Sequence, residues 1–366
     1  MEDWFVGAFE RRVPVSLLTG FLGSGKTTVL NRLLRHPGLA RTAVVINEFG
    51  EIGLDHALIE YAEENLVLLQ NGCLCCTVRG DLIDTLGALA AKRDDGGRAD
   101  FDRVIVETTG LADPAPILHT LMTDPQIARH FRLDGVIATV DAANAAASLD
   151  RQPEAVKQVA VADRLLLTKA DLVDAGAACA VENRLRALNP GAPVIAVRDG
   201  AVDPAAILDV GLYDPATKSL AAQRWLNAEA YGGPGHHHHH HHHHDRNRHD
   251  DRIRAVCLTW DEPIAGAALE LWLQGLLALR GEDMLRLKAI VNVVGFDGPL
   301  VLHGVQHILH PPVTLDRWPD SDRRTRIVCI ARDMDEAMLR DTLTMFAEDV
   351  RPAPKRGRRT RRRSVV

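Results

Sequence analysis

Residues 13–34 read VPVSLLTGFLGSGKTTVLNRLL, and this stretch decides the fold. An apolar, β-rich run ends at Gly20, and the eight residues from Gly20 to Thr27 fit G-x-x-x-x-G-K-[ST]. A helical pattern follows at once, which is the strand–turn–helix setting that a phosphate-cradling loop needs. Gly20, Gly23 and Gly25 let the backbone wrap closely around phosphate oxygens. Amide N–H groups along Ser24 to Thr28 and the helix N-terminus supply the positive potential. Lys26 is placed to reach the β and γ phosphates, and the Thr27 hydroxyl to ligate Mg²⁺.

Working outward, five more short apolar runs alternate with helical patterns: RTAVVIN, DRVIVE, DGVIATVD, DRLLLTK and PVIAV, ending near Val197. Strands interleaved with helices predict a doubly wound, mostly parallel sheet covered on both faces. DRVIVE closes on Glu107, the acidic residue expected near the metal, either through water to Mg²⁺ or as a cap of the next loop. Gly110 then lies where a switch could sense the γ phosphate. DRLLLTK runs into Thr168-Lys169-Ala170-Asp171, which resembles the N-K-x-D guanine element with Thr168 in place of Asn. A carboxylate at Asp171 accepts two hydrogen bonds that guanine offers and adenine does not, so GTP is favoured over ATP. The alternative is an ordinary strand end.

The chain has 366 residues, 46% hydrophobic and 25% charged. At about 150 residues per domain this predicts two or three domains of an ordinary globular protein. No apolar stretch approaches the roughly 18 residues of a membrane span, and a cytoplasmic protein is the default expectation. The predicted organisation is a segment 1–12, a nucleotide domain 13–205, a linker 206–251, a smaller α+β domain 252–348 and a basic tail 349–366. The tail holds KRGRRTRRR, seven basic residues in nine. Since the whole chain carries a net charge of −6, the remainder stands at −13, which argues against nucleic acid as the main partner.

Two counts stand out: 17 histidines and six cysteines. Nine histidines, His236 to His244, follow YGGPG in one run, with His249 close behind. An internal run between domains is better read as a metal-gathering linker than as an affinity tag. Three cysteines, Cys73, Cys75 and Cys76, fall within NGCLCC. Three thiols this close cannot all pair as disulfides, and soft thiolates suit Zn²⁺, with Co²⁺ or Cu(I) as chemical rivals. Cys179, Cys257 and Cys329 read as core thiols. His303, His307 and His310 read as strand-end histidines, with 303 and 307 on one face and 310 on the other.

GFLGSGKTT, NEFGEIGLD (47–55), GCLCC (72–76), ETTGLADP (107–114), TKAD and the histidine-rich linker together resemble the CobW family of P-loop GTPases. In the second domain RLKA (286–289), HGVQH (303–307) and DRRTRIV (322–328) resemble the CobW C-terminal domain. The resemblance implies a GTP- and Mg²⁺-dependent metallochaperone. It would bind zinc, or cobalt, at Cys73, Cys75 and Cys76, with Glu48 as a further candidate ligand and His236 to His244 as an auxiliary run. GTP hydrolysis would control delivery to a client apo-metalloprotein or a metal-cofactor enzyme. A homodimer is among the assemblies it allows, and segment 47–55, with Glu48, Glu51 and Asp55, would be a nucleotide switch. The competing readings are a metal-buffering or sensing protein with incidental turnover, and cobalt delivery for cobalamin synthesis. Two departures from the family pattern are Thr168 for Asn and Ala289 for Gly.

Overall fold

A computed structural model describes residues 12–46, 66–68, 77–94, 101–210, 226–227, 230 and 252–349. Cys73, Cys75, Cys76, Glu48, Glu51, Asp55, His236 to His244, His249 and the basic tail lie outside the described residues.

The first half runs β1 (Val13–Gly20), α1 (Lys26–Leu34), β2 (Thr42–Ile46), β3 (Leu66–Leu68), α2 (Thr77–Asp94), β4 (Arg103–Glu107), α3 (Ala115–Thr123) and α4 (Ile127–His130). It continues with β5 (Phe131–Asp141), α5 (Ala145–Arg151), α6 (Pro153–Val161), β6 (Arg164–Thr168), α7 (Ala175–Leu188), β7 (Val194–Val197) and α8 (Pro204–Ile207). The strands form one seven-stranded sheet in the order β3-β2-β4-β1-β5-β6-β7. Every pairing in it is parallel. The doubly wound architecture is therefore as the sequence predicts, with β3 as an added edge strand too short for its period to announce it.

Helices cover both faces, so the central strands are buried throughout, which is why they read as continuous apolar runs. Along β1, Val15 and Leu17 pack with Leu82, Leu86 and Leu118. The alternate residue Leu18 packs with Val29, Leu30 and Leu33 of α1. Packing continues through Ile207 and Leu208, both buried in that second cluster, and Asp209 beyond them accepts a bond from the Arg103 guanidinium. Because the sheet is parallel, β1, β2, β3, β4, β5, β6 and β7 all end on one edge, where ligands of such folds bind.

The second half comprises β8 (Ile253–Trp260), α9 (Gly266–Arg280), β9 (Met284–Val291), β10 (Leu300–Val305), β11 (Ile308–Leu309), β12 (Val313–Thr314), β13 (Thr325–Arg332) and α10 (Glu336–Asp349). Its antiparallel sheet has the order β11-β10-β9-β13-β8, with β12 on β10. One face packs on α9 and α10 through Leu287, Ala289, Leu302, Cys329 and the buried Trp272. The other face is not solvated. Ile290, Val301, Val328 and Ile330 join a single cluster with Ala155, Val159, Leu165 and Leu185 of the first half.

Two expectations need correction. His303 to His310 is not one strand: Gln306 adopts φ 53, and a tight turn brings Gly304 opposite Leu309 and Val305 opposite Ile308. His303 is consequently a buried mid-strand residue, while His307 sits exposed at the turn. Of the three presumed core thiols, Cys329 is buried and Cys257 partly so, but Cys179 is exposed on α7. The flat helical pattern around Cys179 gave no indication of which face it takes.

Candidate functional site

The P-loop leaves β1 at Gly20, where φ is 140°. A Cβ there would lie 2.3 Å from Thr139 Oγ1 and 2.5 Å from the Thr139 carbonyl, so the β5 backbone closes the space that a side chain would need. Gly23 and Gly25 also have positive φ, and Gly25 serves as the N-cap of α1 without any side-chain cap bond. The first-turn amides of α1 therefore keep their hydrogens for an anion seated in the loop.

Lys26 is buried, and its Nζ donates to the Gly20 carbonyl at 3.0 Å and to the Phe21 carbonyl at 3.4 Å. The ammonium thus sits inside the loop's concave face, where phosphate oxygens would replace those carbonyls. Ser24 is anchored by a hydroxyl pair with Thr139 at 2.6 Å. Thr28 is exposed, and its carbonyl packs against Gly200, whose Cβ position lies only 2.6 Å from it.

Across the edge, Thr27 Oγ1 donates to Glu107 Oε1 at 2.8 Å. Glu107 is buried at the end of β4, so two hard oxygen donors meet at the mouth of the phosphate loop. That pairing fits Mg²⁺, which prefers oxygen ligands. Gly110 is packed against the P-loop itself: a Cβ would lie 2.7 Å from both the nitrogen and the Cα of Leu22.

The TKAD element converges on the same loop. Thr168 is buried, and its hydroxyl donates to the Ser24 carbonyl at 2.8 Å, with the Val140 carbonyl at 3.2 Å. Lys169, at φ 56, extends its ammonium to the Gly23 carbonyl at 2.7 Å and to Asp141 Oδ2 at 2.8 Å. Burial pushes the Asp141 carboxyl up, but Lys169, Asn144 and the Ala143 amide outweigh it and hold it below the ordinary range. Asp171 stands exposed in the turn beyond, open to a base.

The geometry also shows residues that the sequence reading passed over. Gln158 of α6 is buried and donates to the Gly110 and Ala112 carbonyls at 3.3 and 3.0 Å. Asp141 anchors Lys169, and Asp199-Gly200 lies against Thr28, both residues at positive φ. An Asp-Gly pair just after an apolar strand was the available signal for the last. Among the described residues no three His, Cys, Asp or Glu side chains gather as metal ligands, and no helix is long and apolar enough to cross a membrane.

Residues 14–196 match the CobW/HypB/UreG nucleotide-binding domain, and residues 253–347 match the cobalamin synthesis protein cobW C-terminal domain. The chain belongs to the CobW family. It is 32% identical over 329 residues to the zinc chaperone YjiA of Escherichia coli K12, covering 90% of this chain and 96% of that one. A zinc chaperone CobW of a Sinorhizobium species is 30% identical over 369 residues, covering 92% and 98%. The crystal structure of Zn(II)-bound YjiA GTPase from E. coli matches with a TM-score of 0.66 at 27% identity, covering 92% of this chain and 99% of that one. The P-loop, Glu107 and TKAD all lie within the residues matched to that nucleotide-binding domain.

Proposed function

We propose that this CobW-family protein is a GTP-hydrolysing metallochaperone whose cargo is zinc, held by Cys73, Cys75 and Cys76 and passed to a client metalloprotein. The observation that supports it best is topological. β3 ends at Leu68 on the same carboxyl edge as the P-loop, Glu107 and Thr168, and NGCLCC is the next motif in the sequence. Full-length similarity to two proteins named zinc chaperones agrees with a thiolate cargo site there.

In this reading Lys26 and the α1 amides bind the phosphates, and Asp171 selects guanine. Thr168 and Lys169 brace the P-loop from the base side through Ser24 and Gly23. Thr27 and Glu107 would hold Mg²⁺, which neutralises charge developing on the phosphates. In this reading Glu48 and the 47–55 segment supply the switch, and His236 to His244 supplies imidazoles that gather metal.

The test couples two readouts. Phosphate release is measured with GTP and with ATP, and zinc release to a chromophoric chelator is followed with GTP, GDP or no nucleotide. Hydrolysis specific for GTP, lost in Lys26→Ala, together with nucleotide-dependent zinc release lost in Cys75→Ala, is the expected outcome. Zinc release at one rate in all nucleotide states would instead indicate a buffering protein.

A further inference from the structure

We propose that Gln158 is a positioning residue for hydrolysis, and that α6 transmits the C-terminal domain's hold to the Glu107–Asp113 loop. The inference rests on the GTPase reading above and deepens it.

The loop after β4 carries Glu107, which meets Thr27, and Gly110, which abuts the P-loop at Leu22. Its backbone is held from below by one side chain: Gln158 Nε2 has two hydrogens, and the Gly110 and Ala112 carbonyls accept them. That assignment fixes the amide's orientation, since the opposite one would point a carbonyl oxygen at two carbonyls. Gln158 Oε1 is buried with no hydrogen-bond partner among the described residues, and Gln158 lines a cavity together with Phe21, Leu22 and Ser24 of the P-loop. A glutamine serving the core alone would have both ends met. Among the described residues this one is satisfied only towards the loop, and the cavity it lines is shared with the P-loop. From the adjacent position on α6, Lys157 Nζ meets Asp113 at 2.6 Å and ties down the loop's far end.

The other end of α6 belongs to the C-terminal domain. Arg286 of β9 donates to the Val161 carbonyl and to Asp163, and Lys288 reaches Asp163 at 2.9 Å. The three side chains are buried at this junction. From Gln158 to Val161 is about 4.5 Å along the helix axis, less than one turn. A shift of the loop that drags Gln158 therefore reaches Arg286 through one turn of hydrogen-bonded backbone, with no soft element between.

Steady-state GTP hydrolysis by the full chain tests this in Gln158→Met, Arg286→Met and the double variant. A displaced loop is expected to lower kcat by on the order of 10–100-fold in Gln158→Met. Affinity for a fluorescent GDP analogue should stay within about three-fold, because the P-loop is intact. Arg286→Met should lower kcat in the same direction, and the double variant should be no worse than the poorer single. A kcat for Gln158→Met within about two-fold of wild type overturns the positioning role, and strictly additive losses overturn the transmission through α6.

Hydrogen exchange on the wild-type chain, with and without a non-hydrolysable GTP analogue, covers variants that fail to fold. Nucleotide should change protection both at 108–113 and at 286–288. Unchanged protection at 286–288 overturns the proposal. Absence of phosphate release by the wild type would refute the GTPase reading alone, and exchange would still decide the coupling.

Discussion

Replacing Asp163 by Asn tests the domain junction most directly. The change keeps size and shape, and the new side-chain carbonyl can still accept from the Val136 amide, which now donates to Asp163 Oδ2 at 3.0 Å. It removes the single carboxylate shared by two buried cations, Arg286 and Lys288. Breaking one side of a buried pair costs about 3–5 kcal/mol. Lys288 can relieve its share by releasing a proton, because burial and the neighbouring Arg286 already hold it down to about 7. Arg286 has no such escape, so the loss should fall near the lower figure, about 3 kcal/mol. At about 2–4 °C per kcal/mol that is a drop of roughly 6–12 °C in Tm.

Thermal unfolding of the full chain followed by circular dichroism reads this, and pH supplies a control. Lys288 has a lower pKa folded than unfolded, so between about 7 and 10.4 the unfolded chain binds more protons, and this group's contribution makes stability rise with pH. Lys288→Met should flatten that rise. Asp163 is held below the ordinary carboxylate range: burial raises it, and Arg286, Lys288 and His303 outweigh burial. Its stabilisation is therefore present above the unfolded value near 4 and lost as pH falls below it. A loss under about 1 kcal/mol for Asp163→Asn would mean that water screens the junction, and the argument from desolvation would fail.

Three further outcomes follow from the nucleotide edge. Asp171→Asn reverses the polarity offered to the base, so GTP affinity should fall and XTP affinity rise in competition with a fluorescent GDP analogue. Thr168→Val leaves the Ser24 carbonyl without its buried donor, costing about 1–3 kcal/mol and visible as a lower Tm together with weaker nucleotide binding. Gly110→Ala forces a methyl to within 2.7 Å of the Leu22 backbone, so it should impair hydrolysis more than nucleotide binding, measured as a fall in kcat at near-constant affinity.

The nucleotide half was legible because its signals are local. The P-loop glycines are spaced by their own backbone needs, and strands buried on both faces read as near-continuous apolar runs. β3 escaped because three residues carry no period. The domain junction escaped for a different reason. Along β9, Arg286 and Lys288 alternate with Leu287 and Ala289, the pattern of a strand with one wet face. All four are buried, because the polar face is covered by a domain more than a hundred residues away in sequence. Gln158 was hidden in the same way, as one of three polar residues in the helix PEAVKQVAV, with partners that lie across the fold. Charge and amide placement of this kind becomes readable only once the partner's position is known.

Buried charge is an expensive way to join two domains, and the surrounding contacts suggest what it achieves. Ala155 and Val159 of α6 and Ile290 and Val301 of the second sheet are small, smooth apolar groups that could pack at more than one register. One carboxylate answering two cations, with Val161 also accepting from Arg286, admits a single seating. The combined variant Asp163→Asn, Arg286→Met, Lys288→Met separates stability from register, because no charge is left stranded and the Val136 amide keeps an acceptor. Its stability should return to within about 1 kcal/mol of wild type, or exceed it. Hydrolysis should nevertheless stay depressed, since α6 loses the fixed seat from which Gln158 holds the Gly110 and Ala112 carbonyls. Recovery of both Tm and kcat to wild-type values would show that apolar packing alone sets the register.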